Sequence, residues 1–111
     1  MSELIEFLKQ GRHPVALNRY DDPLELRRRV ERGYVLIKFT DTRGGTELGV
    51  KLDPARCDLR AADFEQGTGR VALAGSLTLD FVEIEVAADI ELESMTGTGT
   101  VAVVAEAALT G

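Results

Sequence analysis

The stretch Leu79 to Glu93, "LDFVEIEVAADIELE", constrains the fold more than any other part of this chain. From Val82 to Leu92 every even position is apolar, while Glu83, Glu85, Asp89, Glu91 and Glu93 occupy odd positions. Successive side chains on a β-strand point to opposite faces, so this is a strand with one dry face and one wet, acidic face. The dry face must be buried against another layer. Carboxylates at i and i+2 stand roughly 6.6 Å apart and parallel, too wide to converge on one cation, so the row reads as a solvated face or a recognition surface. A row of like charge on an edge strand would also resist edge-to-edge pairing.

Just upstream the alternation has the opposite phase, with Val71, Leu73, Leu77, Leu79 and Phe81 on odd positions. A one-residue slip moves every side chain to the other face, so the chain must turn or bulge between Phe81 and Val82. No glycine, asparagine or proline lies near Asp80 to support a tight turn, and the expectation is a bulge in one long bent strand.

The rest of the chain divides by period. "SELIEFLKQG" offers Ser2 as a cap, apolar residues near helical spacing and Gly11 as a stop, which predicts a short helix. "PVALNRY" reads as a brief strand. "DDPLELRRRVERG" has Asp22 to cap, Pro23 at the first helical position, Glu25 at the positive end of the macrodipole, arginines toward the negative end and Gly33 to close. "YVLIKFT" and "TELGVKLD" alternate around "DTRGG", whose glycine pair suits a hairpin loop. "PARCDLRAADFEQ" has no clean period and reads as a loop or a short helix around Leu59 to Phe64. A last strand, "GTVAVVAEAAL", follows the turn "SMTGTG". "GTGRVALAG" and "GTGTVAVVA" echo each other thirty residues apart, but two copies do not make a solenoid, and the glycines are expected to serve turns.

These elements predict a single α+β domain over residues 1–111: an antiparallel sheet of about five or six strands with one or two N-terminal helices packed on one face. A chain of 111 residues with 44% hydrophobic and 29% charged residues is a globular mixture of one-domain size. Burying so small a share of its surface alone, it would gain by self-association. The apolar runs are far short of the roughly 20 residues that span a bilayer, and acids stand where a signal peptide would be basic, so a cytoplasmic protein with no membrane contact is expected.

Charge is divided unevenly. Residues 1–60 hold twelve Lys and Arg against ten Asp and Glu, whereas residues 61–111 hold only Arg70 against nine acids, within a net charge of −6. Such a field repels phosphates and disfavours nucleic-acid binding, leaving room for a local basic patch in the first half. The cluster Arg27, Arg28, Arg29 and Arg32 is that patch, a solvated helix face or a contact for an acidic partner. The acidic surface closest at hand is the 83–93 row, within the chain or on another copy.

Other chemistry is sparse. One histidine, His13, and one cysteine, Cys57, cannot assemble a zinc site, an iron–sulfur site or an internal disulfide, and no cofactor is expected. Cys57 lies between Arg56 and Arg60, which would favour its thiolate if exposed. His13 has no nucleophile or oxyanion turn in its neighbourhood of sequence. "GTGRVAL" leads into a strand pattern, and "TRGGTELG" lacks the lysine of a phosphate loop, so neither is a nucleotide motif. The leading expectation is a non-catalytic accessory or interaction module whose partner is itself or another protein. The alternative is a sheet curled around an apolar small molecule, lined by Val35, Ile37, Phe39, Leu77, Leu79 and Phe81. An enzyme without a recognisable motif stands third.

Overall fold

A computed structural model describes residues 3–106. The elements run α1 (Glu3–Leu8), β1 (His13–Ala16), α2 (Pro23–Arg32), β2 (Tyr34–Phe39), β3 (Thr46–Leu52), a 3₁₀ turn (Pro54–Arg56), β4 (Ala62–Asp63), β5 (Thr68–Leu79), β6 (Val82–Glu91) and β7 (Thr96–Glu106). The sheet order is β3-β2-β1-β7-β6-β5-β4, and a further pairing of β3 with β5 closes six of the strands into an antiparallel barrel. No helix among the described residues is long and apolar enough to cross a membrane.

Closure corrects the expected sheet with helices on one face. The helices are too small to cover such a sheet: α1 buries Ile5 and Leu8, and α2 buries Leu26. The sheet therefore covers its own dry face, and its inward side chains fill the interior, as in other small barrels. Val35, Ile37 and Phe39 of β2 meet Val50 of β3, Leu73 of β5 and Ile84 of β6 in one core, each at most 1% exposed. The alternation that opened the sequence is kept in full: Val82, Ile84, Val86, Ala88, Ile90 and Leu92 are buried inside the barrel, and the acidic residues between them face outward.

The phase flip at Phe81 is a hairpin turn, not a bulge in one bent strand. β5 and β6 pair antiparallel from Arg70↔Glu91 to Leu79↔Val82. Asp80 and Phe81 have φ values of 49° and 64°, the positive pair of a type I′ turn. A two-residue turn pairs odd positions with even ones, so the change of parity is what this hairpin requires. Each left-handed non-glycine residue costs about 1–3 kcal/mol, and the long ladder on either side imposes it. A bulge does occur nearby, in the β6–β7 ladder, where Glu83 pairs with Ala105 and Ile84 with Val103, leaving Val104 unpaired.

The two glycine-rich strand starts differ in use. Gly67, just before β5, and Gly69, near its start, lie at positive φ where the chain comes round from β4. Gly97 and Gly99 sit within β7, and a Cβ on Gly99 would press on Val15 and Phe39, so its absence makes room for those side chains. The segment without a clean period forms the 3₁₀ turn, an isolated bridge from Asp58 to Ala72 and the short β4. α2 has the expected caps: the Asp22 carboxylate accepts from the Glu25 N–H at 2.8 Å, and Gly33 has φ 84°. The Ser2 cap and residues 107–109 of the last expected strand lie outside the described residues.

Two substitutions test this architecture. A Cβ at Gly75 would strike the Lys51 carbonyl at the β3–β5 seam, so Gly75→Ala should lower the urea midpoint by the equivalent of about 1–3 kcal/mol; an unchanged midpoint would mean that the seam is not closed. Conversely, Asp80→Asn with Phe81→Gly supplies residues that accept positive φ and should stabilise by about 1 kcal/mol. Loss of stability in that double variant would show that the turn has another geometry.

Candidate functional site

Three places gather chemical groups. The first is His13, which β1 points into the barrel with only 4% of its surface exposed. Continued past the end of β2, the register of Val15↔Phe39 brings His13 level with Asp41, whose Oδ2 lies 2.8 Å from His13 Nδ1. A carboxylate on one ring nitrogen orients the other, an arrangement used in acid–base catalysis. Here Nε2 is buried and has no hydrogen-bond partner among the described residues, and the ring lies against Phe7, with centroids 4.8 Å apart, and Phe39. A nitrogen withheld from solvent behind two phenyl rings has no approach for a substrate in this conformation. The pair instead ties the β2–β3 hairpin to β1. Its only signal in the sequence is strand register, which cannot be known before β1 and β2 are paired.

The second place is the outer face of β6. Within the chain its acids are served by arginines other than those of α2: Glu85 pairs with Arg56 and Glu91 with Arg70, each at 3.1 Å. Glu83, Asp89 and Glu93 have no ion-pair partner among the described residues. A groove of about 480 Å³ crosses this face and takes in Arg12, Arg70, Asp89 and Glu91. Two guanidiniums balance two carboxylates there, so the groove has no preferred sign of charge.

Nearby, the flanks of Cys57 are occupied. Arg56 is committed to Glu85, and Arg60 forks onto Asp58 through Nε at 3.1 Å and Nη2 at 2.9 Å. The thiol itself is half-buried and accepts from the Ala74 N–H at 3.4 Å. The Arg60 side chain first, and then its backbone N–H, hold the Asp58 carboxyl down from 3.8 to about 2. A lowered carboxyl favours the folded state above its ordinary range, and that contribution is lost as pH falls toward 2.

The third place is a cleft of about 390 Å³ between α2 and the outer face of β2, lined by Arg19, Tyr20, Glu25, Arg29, Arg32 and Tyr34, with Leu36 at its base. The expected arginine cluster divides here. Arg27 pairs with Glu31 at 3.1 Å along the helix. Arg28 is exposed, and Arg29 and Arg32 line the cleft; none of these three has a side-chain partner among the described residues. On the opposite wall Arg19 is held by both oxygens of Glu47, at 2.9 and 3.0 Å. With Arg19 neutralised by Glu47, Arg29 and Arg32 face one lining carboxylate, Glu25, which accepts from the Asp21 N–H. This is the cationic concavity of an acidic chain, and it can hold an anion.

No known protein family matches the chain, and no curated protein matches it.

The His13–Asp41 pair gives a test of its role. Asp41→Ala strands Nδ1 in the core and should cost about 1–3 kcal/mol, whereas His13→Phe removes both buried nitrogens and should be close to neutral. Urea denaturation of the two variants checks this, and a His13→Phe loss as large as that of Asp41→Ala would give the imidazole a further role.

Proposed function

We propose that this protein is a non-catalytic interaction module that self-associates through complementary charges on the outside of a filled barrel. One observation carries the reading: after the intrachain ion pairs are formed, Arg28, Arg29 and Arg32 of α2, Glu83 and Asp89 of β6 and Glu93 just beyond it are left without ion-pair partners among the described residues. The α2 arginines and the acidic row do not pair with each other within the chain, which leaves both rows open to a second copy or another protein. Exposed pairs are worth about 0–1 kcal/mol each, and several together set orientation and partner choice more than affinity. Between copies, α2 on one and β6 on the next make a head-to-tail contact, which closes into a ring or runs on as a filament.

The interior supports surface contact over enclosure of a ligand. Val35, Ile37 and Phe39, the central lining of the apolar-binder alternative, are packed in the core, Leu77 and Leu79 are half-buried, and Phe81 is 74% exposed at the hairpin tip.

Sedimentation of the Arg28→Glu variant tests the assembly, because Arg28 lies outside the cleft. Association should fall by about tenfold and be recovered in part when Glu83→Lys is added in the same chain, with both effects shrinking at high salt. Monomeric wild type at low and high salt alike would overturn self-association.

A further inference from the structure

We propose that the α2–β2 cleft binds a small aromatic anion, a planar ring carrying a phosphate, with the ring stacked on Tyr34 and the phosphate held by Arg29 and Arg32. The inference goes beyond self-association and does not depend on it. Four features of the cleft converge on this chemistry.

The anion site is built from side chains left without a partner by the intrachain ion pairs. Arg29 and Arg32 stand one turn apart on α2, where neighbouring like charges repel, and neither guanidinium has a partner among the described residues. A phosphate between them relieves that repulsion and accepts the forked, charge-assisted hydrogen bonds that suit guanidinium. Arginines in the last turn of a helix also offset its dipole, but that role calls for neither a concavity nor an aromatic surface beside them.

The aromatic surface is present. Gly49 lies across the ladder beside Tyr34, and a Cβ there would collide with the Tyr34 hydroxyl and ring carbons. The ring is therefore laid over the bare backbone of Gly49, while 52% of the residue remains exposed. A ring supported by the sheet and open to solvent is a stacking platform, worth more beside a cation than alone.

Tyr20 adds a donor. It is 9% exposed and its oxygen accepts from the Leu36 N–H at 2.9 Å, while the hydroxyl proton has no acceptor among the described residues. A phenol fixed in this way and lining the cleft can donate to a ligand oxygen. The cleft's volume of about 390 Å³ sits at the small end of the roughly 300–1,000 Å³ range of ligand sites. The size suits a mononucleotide or smaller, and the net negative charge of the chain works against a polynucleotide.

Amide chemical shifts followed during titration with phenyl phosphate and with adenosine 5′-monophosphate decide the matter. Both should shift amides within 19–36 and around Gly49, whereas phenol, adenosine and inorganic phosphate, each lacking one half of the ligand, should bind at least about tenfold more weakly. Arg32→Gln and Tyr34→Ala should each weaken phenyl phosphate by about tenfold with the thermal melt preserved, Tyr34→Phe should retain it, and Arg32→Lys should fall between. Three results would overturn the proposal: no shifts with either aromatic phosphate at millimolar concentration, inorganic phosphate binding as well as phenyl phosphate, or an Arg32→Gln protein that binds undiminished. If Tyr34→Ala fails to fold, the comparison of phenyl phosphate with inorganic phosphate on the native chain still decides it.

Discussion

The barrel depends on a seam of two residue pairs. β3 meets β5 only at Lys51↔Ser76 and Leu52↔Gly75, with the Asp53 N–H continuing to the Ala74 carbonyl at 2.9 Å. Within the barrel only the β1–β2 ladder is as short, with two pairs, and the others are longer, up to the ten pairs of β5 with β6. Without the seam, β3 and β5 would be sheet edges, and Val50, Leu52 and Leu73 would lie at an open margin. Gly75 makes the approach feasible because any side chain there would meet the Lys51 carbonyl. The long β5–β6–β7 ladders fix where β5 arrives, and the missing Cβ lets it dock.

That dependence explains which parts of the fold were legible. The period-2 pattern from Val82 to Leu92 reported inward and outward faces correctly, because burial on one side is the same whether a sheet is covered by helices or by itself. Choosing between those two needed a comparison of areas: six-residue α1 and ten-residue α2 are too little helix to roof a sheet of six strands. α2 was legible down to its caps, since Asp22, Pro23 and Gly33 act through local geometry. The Asp80–Phe81 turn was not, because Phe81 opposes its conformation and the decisive energy lies in the ladder. The change of parity did carry the hairpin, and chemical preference at Phe81 argued against it. Seam and His13–Asp41 pair share one cause of illegibility: each is set by a register between segments distant in sequence.

A filled interior sends function to the outside, and strand parity then decides which charges are available there. β6 presents its acids outward because its even positions are committed to the core, so the row is first a consequence of folding. Its pairing partners come from unexpected places: Arg56 from the 3₁₀ turn and Arg70 from the neighbouring β5. Those two neutralise Glu85 and Glu91, Arg27 pairs with Glu31 along the helix, and the remaining arginines of α2 have no ion-pair partner among the described residues. The uneven charge of the two halves of the sequence thereby becomes two separated surfaces.

The position of the cleft follows from the same rules. Leu26 is fully buried and sets the rotation of α2, so that Arg29 and Arg32, three and six residues further on, share the face that borders β2. Gly33 ends the helix in the left-handed region and delivers the chain directly into β2. Val35, Ile37 and Phe39 are claimed by the core, which leaves Tyr34 and Leu36 no face but the outer one, opposite those arginines. The run "RRRVERGYVL" thus supplies Arg29, Arg32, Tyr34 and Leu36 of the lining from ten consecutive residues. Arg19, Tyr20 and Glu25 come from just upstream, and Gly49 of β3 lets the Tyr34 ring lie flat. A site made almost entirely from one helix, its cap and the next strand is held as firmly as the barrel beneath it, so its cationic walls are in place before any anion arrives.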